Sequence, residues 1–134
     1  VYGARQDPAS DYAAVIPRFI ANLRNGKPPV IFGDGTQTRD FVYVRDVVRA
    51  NILAMERDAE GVYNIGSGKE TSINELATIL MRLLRFRGQP VYAGGRPGDV
   101  MHSVADISRA RSLLGWEPAF SLEEGLSDTL VSME

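Results

Sequence analysis

The sequence predicts a mixed fold class, α/β or α+β, in a chain of about one domain. Two observations carry this. Apolar residues recur at helical spacing in three long stretches. Short runs of β-branched and aromatic residues lie between them, bounded by glycine and proline turn signals. The 134 residues are 44% hydrophobic and 24% charged, a normal globular balance. A chain of this length buries roughly two-thirds of its unfolded surface, enough for a core.

Residues 5–11 form a polar loop containing Pro8, and residues 12–25 read as the first helix. Val15, Ile16, Phe19, Ile20 and Leu23 repeat along one face of it. Pro17 sits near the first turn, where a missing N–H costs little. Gly26 stands at the helix exit and Pro28-Pro29 prevent continuation. Val30-Ile31-Phe32 is a short strand, Gly33-Asp34-Gly35 a turn, and residues 38–44 the next strand, so the two strands are expected to form a hairpin or tight strand-loop-strand unit. Residues 44–57 read as a helix with Val44, Val47, Val48, Ile52 and Met55 buried and Asp46 at its positive end. A strand at 61–65 ends in Gly66-Ser67-Gly68. Ser72-Ile73-Asn74-Glu75 is a capping box that opens a third helix, with Ile73, Leu76, Ile79, Leu80, Leu83 and Leu84 as its apolar face. A short strand follows at 90–93, then a glycine-rich loop at 94–98. Asp106 can cap a short helix through Leu114, stopped by Gly115, and Ser121-Leu122-Glu123-Glu124 opens the last helix.

Several function classes are excluded by composition. Fifteen Lys and Arg against seventeen Asp and Glu give a net charge of −2, so there is no global basic field for nucleic acid. There is no cysteine, which removes disulfides, thiolate metal sites and a cysteine nucleophile. The single histidine, His102, would have to carry any triad or histidine metal site alone, and in its loop it reads as solvated. No apolar run approaches the ~20 residues that span a bilayer, so no membrane partner is expected and the expected compartment is the cytoplasm. The chain starts Val1-Tyr2-Gly3 without an initiator Met, as if inside an element, so it is expected to be part of a larger protein.

The phosphate-binding glycine motifs are absent. Gly66-Ser67-Gly68-Lys69-Glu70-Thr71 lacks the third glycine of the dinucleotide fingerprint. A P-loop would need a hydroxyl residue at Glu70 and a glycine at Tyr63. The bland reading of Gly66 and Gly68 is a tight turn. Two polar strings are better candidates. In Gly33-Asp34-Gly35-Thr36-Gln37-Thr38-Arg39-Asp40, neighbouring Arg39 and Asp40 point to opposite faces of a strand. One can meet a ligand while the other supports the fold. Arg39 is a planar, permanently charged fork suited to phosphate oxygens. In Arg96-Pro97-Gly98-Asp99-Val100, an Arg and an Asp flank a fixed turn, a pair able to hold a phosphate and a ribose hydroxyl. The bland reading of both strings is loop chemistry with surface ion pairs.

These strings, with Tyr2-Gly3-Ala4-Arg5-Gln6, Val15-Ile16-Pro17-Arg18-Phe19, Gly26-Lys27-Pro28-Pro29-Val30-Ile31-Phe32, Phe41-Val42-Tyr43-Val44-Arg45-Asp46-Val47, Tyr63-Asn64-Ile65-Gly66-Ser67-Gly68 and Leu114-Gly115-Trp116-Glu117-Pro118, resemble in order and spacing the C-terminal part of nucleotide-sugar epimerases and dehydratases. These are the NAD-dependent extended short-chain dehydrogenase/reductases, and the resemblance covers nearly the whole chain. Within them the phrases 14–19 and 41–44 are most similar to UDP-glucose 4-epimerases.

That resemblance implies an α/β fold in which residues 1–134 are the C-terminal nucleotide-sugar binding portion. This small mixed α/β domain would complete an upstream Rossmann cofactor domain absent from this chain. NAD would be bound mainly by that N-terminal portion, which would also carry the catalytic Ser/Thr and Tyr-x-x-x-Lys. No catalytic residue and no metal site would lie here, and the chain alone would be inactive. By the same resemblance Arg39 and Arg96 would grip the diphosphate and Asp99 would hold the ribose. Val30 and Phe32 would lie against the uracil, and Val15 and Phe19 would line the same pocket. Residues 43–46 would run beside the cofactor domain, and 63–65 would complete its sheet. The implied reaction is UDP-glucose/UDP-galactose interconversion, by oxidation at sugar carbon 4, rotation of the keto sugar and reduction on its other face, in a homodimer. The alternatives are a 4,6-dehydratase, a UDP-glucuronate decarboxylase, or a non-catalytic nucleotide-sugar binding module.

Overall fold

The computed structural model describes residues 1–6, 14–57, 59–95 and 97–132. Helix α1 spans Val15–Arg24 and buries Ile16, Pro17, Phe19, Ile20 and Leu23, the face its spacing predicts. Its expected first residue, Tyr12, lies outside the described residues. The helix ends in a Schellman motif: Gly26 N–H donates to Leu23 O at 3.1 Å and Lys27 N–H to Asn22 O at 2.9 Å. Gly26 takes φ +68°, a conformation that glycine adopts without a Cβ clash. Helix α3, Ile73–Leu83, starts where Ser72 Oγ accepts the Glu75 N–H at 3.1 Å, and it buries Ile73, Leu76, Ala77 and Leu80. Helix α4, Leu122–Val131, carries the full capping box of Ser121 and Glu124. Helices α1 and α3, with the inner side of α4, enclose the larger core.

The strands depart from expectation. Strand β1, Val30–Phe32, does not pair with its sequence neighbour β2, Thr38–Arg39. It runs parallel to β4, Val91–Ala93, with Ile31 opposite Tyr92. The short β2 pairs antiparallel with β3, Thr71–Ser72. The turn after β1 explains why no hairpin forms. The Gln37 side-chain amide donates back to Phe32 O at 2.8 Å. The Ile73 and Asn74 N–H groups donate to Gln37 O and Gly35 O. The segment is thereby tied to the start of α3 rather than turned back along β1. The strand expected at 38–44 is correspondingly only two residues long. The strand expected at 61–65 does not form, because no described segment offers it a ladder.

Helix α2, Val44–Glu56, forms as expected but buries a different face. Asp46 and Ala50 are its buried residues, while Val48, Ile52 and Met55 are 49%, 47% and 86% exposed. The reason is tertiary. The helix packs its Ala50 side on a second core of Ile107, Ala110, Leu114 and Trp116, and nothing described covers the opposite side. That second core holds a π-helical turn, Ala110–Leu114, whose N-cap is Arg109 without a side-chain cap; the Asp106 carboxylate expected to cap it instead accepts from Ser108 N–H at 2.9 Å in the turn ahead of it.

An aromatic junction joins the N-terminal segment to α4. Tyr2 N–H donates to Val42 O and Val44 N–H to Tyr2 O. The Tyr2 hydroxyl donates to Leu122 O at 3.1 Å, and the Tyr43 ring packs edge-on against Phe120 at 5.0 Å. Gly125 lies under these rings. A Cβ there would sit 2.1 Å from the Tyr2 hydroxyl oxygen and 3.0 Å from Tyr43 Cγ. Both rings are buried and cannot swing aside. Gly125→Ala is therefore expected to destabilise the protein by about 2 kcal/mol through overpacking, although it raises helix propensity. A thermal midpoint equal to or above the parent's would refute this.

Candidate functional site

The parallel strand β1 stands beside the N-terminal half of α1, and the two leave a cleft of about 440 Å³ between them. That volume is in the range of small-molecule sites, about 300–1,000 Å³. Val15 and Phe19 come from α1 because they lie one turn apart on its inner face. Val30 and Phe32 come from β1, where alternation sends them to the face opposite the fully buried Ile31. Arg39 and Asp99, with Gln37 and Asp40, form the polar end. The structure thus brings Val15, Phe19, Val30, Phe32, Arg39 and Asp99 to one place, although Asp99 is sixty residues from Arg39. Arg96 lies outside the described residues.

The Arg39 side chain is 29% exposed and its fork is well occupied. One terminal nitrogen donates to Thr38 O at 2.7 Å and to Val100 O at 2.5 Å. The other donates to the Asp99 carboxylate in a salt bridge. These contacts fix the plane of the guanidinium at the mouth of the cleft. A guanidinium has five N–H donors, so an anion can be met by the remaining ones or by exchange with Asp99.

Asp40 follows the last residue of β2 and lines the same cleft as Arg39, so the two do not separate to opposite faces as alternation predicts; its carboxylate nonetheless supports the fold. Its carboxylate accepts from Ser67 N–H at 2.6 Å, Gly68 N–H at 3.0 Å and Ala105 N–H at 3.1 Å. The glycine turn that invites a phosphate reading is therefore a cradle for a carboxylate of the same chain. The Ser67 and Gly68 N–H groups are engaged within the fold and do not fit a dinucleotide pyrophosphate.

Gln37 is a lining residue that motif reasoning did not single out. It is 8% exposed, and its amide anchors the end of β1. The signal was its place in the same polar string as Arg39. The turn before it is held by Asp34, whose carboxyl accepts from the Thr36 N–H and hydroxyl. Those hydrogen bonds hold it below the usual carboxylate range. Burial, with the neighbouring Tyr43 and Asp46, pushes the Tyr2 hydroxyl up. Burial and the Asp128 carboxylate push the Tyr43 hydroxyl up. Neither phenol is tuned for proton transfer near neutrality. The cleft offers recognition instead: an apolar slot, a planar cation and a carboxylate.

Comparison with known proteins gives a family match and a set of relatives. The model of the NAD dependent epimerase/dehydratase family matches residues 1–66. A protein of Methanocaldococcus jannaschii, provisionally named a UDP-glucose 4-epimerase, is 49% identical over 94% of this chain and 40% of its own length. The crystal structure of the Thermotoga maritima UDP-glucose 4-epimerase with UDP-glucose superposes with a TM-score of 0.93 at 46% identity, over 98% of this chain and 42% of that one. The Methanobrevibacter ruminantium UDP-N-acetylglucosamine 4-epimerase, in complex with UDP-N-acetylmuramic acid, gives 0.92 at 44% identity, over 98% and 43%. More distant matches are named UDP-glucuronic acid decarboxylases, and several solved neighbours are complexes with NAD. The chain spans about 40% of the length of the relatives it matches.

Proposed function

We propose, from the premise that this chain corresponds to the C-terminal portion of NAD-dependent epimerase/dehydratase family proteins, that it is the nucleotide-sugar binding portion of an epimerase. The observation that carries this reading is the convergence of Arg39 and Asp99 on the polar end of the apolar α1–β1 cleft. A uridine base fits the chemistry of the slot between Val15, Phe19, Val30 and Phe32. The diphosphate falls to the Arg39 fork and to Arg96, and a ribose hydroxyl to Asp99. Charge-assisted contacts contribute about 1.5–3 kcal/mol each, so two of them supply a large share of the about 8 kcal/mol of a micromolar complex.

NAD in this reading is held by a portion of the protein outside this chain, since the Gly66–Gly68 turn is filled by Asp40. That portion also supplies the catalytic groups, so the chain by itself is inactive. The exposed Val48, Ile52 and Met55 on one side of α2, with Val62 at 81% exposure, support a covering portion. So does the 40% share of the relatives' length. A homodimeric, cytoplasmic protein completes the reading. No helix among the described residues is long and apolar enough to cross a membrane.

Isomerisation of UDP-glucose to UDP-galactose is the reaction proposed. The decarboxylase names among the relatives make decarboxylation or dehydration of a nucleotide sugar the second reading. The test is calorimetric titration of the intact protein with UDP, followed by product analysis after incubation with UDP-glucose. Micromolar UDP binding and formation of UDP-galactose are expected. Absence of UDP binding overturns the reading of the cleft. Binding without conversion of any nucleotide sugar leaves a binding module.

A further inference from the structure

The segment that carries Asp99 is held to the cleft by polar tethers alone. Val100 and Met101 are 57% and 52% exposed, so no apolar anchor fixes it. Its ties run to β2. Arg39 donates to Val100 O, Thr38 N–H donates to Met101 O at 2.7 Å, and His102 Nδ1 lies 3.2 Å from Thr38 Oγ1. The Thr38 hydroxyl in turn donates to Glu70 Oε1 at 2.9 Å. A hydroxyl has one proton. With that proton given to Glu70, the contact with His102 requires an Nδ1–H donating to the Thr38 oxygen. The order is thus His102 to Thr38 to Glu70, and Glu70 Oε1 also lies 3.5 Å from His102 Nδ1. Glu70 directly precedes β3, which pairs with β2, so the acceptor end of this chain is rigidly placed beside Thr38.

We propose that Thr38, Glu70 and His102 form a latch that holds residues 98–102 across the polar end of the cleft, presenting Asp99 and Arg39 together to a nucleoside diphosphate. The three are positioning residues: they touch each other and the segment, and the ligand is met by Arg39 and Asp99. The inference rests on the nucleotide reading of the cleft and adds to it a set of residues that tune its affinity. Without the latch, an exposed segment samples more conformations and must be ordered at each binding event, which lowers affinity. Single hydrogen bonds of this kind change affinity by about three- to tenfold.

The experiment is UDP titration of the intact protein and of His102→Ala, Glu70→Ala, their double variant, and His102→Asn. The asparagine side-chain amide places an N–H where Nδ1–H stands. His102→Ala and Glu70→Ala are each expected to weaken UDP by about three- to tenfold with an unchanged thermal midpoint. The double variant should lose little more than either single one, because both break the same chain. His102→Asn should bind within about twofold of the parent, a rescue that a merely structural role would not give. Affinities of both alanine variants within about twofold of the parent would overturn the latch alone, as would losses that multiply in the double variant. A parent that binds no UDP would overturn the nucleotide reading, and the latch with it.

Discussion

Replacing Arg39 with alanine is expected to weaken UDP binding by the intact protein at least tenfold. The guanidinium is at the mouth of the cleft, fixed in plane by Thr38 O and Val100 O, so its fork is presented without further ordering. Its loss removes one or two charge-assisted contacts of about 1.5–3 kcal/mol, and each 1.4 kcal/mol is a factor of ten. A second cost comes from Asp99. In the parent its carboxylate is paired with Arg39. In Arg39→Ala it stands unpaired beside the diphosphate, and like charges repel. The double variant Arg39→Ala, Asp99→Asn should therefore bind UDP more tightly than Arg39→Ala does. Arg39→Lys should fall between parent and alanine, since it keeps a charge but not the planar fork. Calorimetry checks all three. An unchanged UDP affinity in Arg39→Ala would remove the diphosphate from this end of the cleft.

The largest stability loss is expected at Asp46. It is 1% exposed, and its carboxylate accepts from Ala119 N–H at 2.8 Å, Phe120 N–H at 3.2 Å and Arg49 at 3.1 Å. Its carbonyl accepts the indole N–H of the fully buried Trp116 at 2.9 Å. One residue thus secures both the loop that leads into α4 and the second core. Asp46→Ala leaves two backbone N–H groups unpaired, at about 1–3 kcal/mol each, and opens a small cavity. A loss of about 4 kcal/mol is expected, seen as a fall of roughly 10 °C in the thermal midpoint of the intact protein. Asp46→Asn keeps the volume but turns one acceptor into a donor facing a donor, so it should lose about half as much. A midpoint for Asp46→Ala within 2 °C of the parent would refute the assignment.

The site was legible in the sequence to the extent that its residues sit in short, characteristic strings. Arg39 and Asp40 show how far local geometry reaches. Alternation along a strand predicts that one of them faces a ligand and the other supports the fold; β2 ends at Arg39 and both residues line the cleft, while the Asp40 carboxylate is bound to three backbone N–H groups. Nothing local, however, says that its partners are Ser67, Gly68 and Ala105. The same holds for His102. Alone in a loop it reads as a solvated side chain, and its side chain is indeed largely exposed. Its contact with Thr38 exists only because the chain returns to β2 after sixty residues.

Taken alone, the sequence determined what depends on neighbours within a few positions. It placed α1, α3 and α4, the Ser72 and Ser121 caps, the Gly26 exit and the buried face of α1, because helical hydrogen bonds and caps close within four residues. The tertiary structure decided which strands pair, which side of α2 is buried, and where Asp46 and Asp40 find their partners. A strand needs a partner that local pattern does not name, so β1 pairs with β4 rather than with the nearer β2. A helix with apolar residues on two sides turns toward whichever core is present, so Ala50 goes in against Trp116 while Ile52 and Met55 remain outside. Buried polar groups must be satisfied by whatever donor the fold brings to them, and those donors come from segments dozens of residues away.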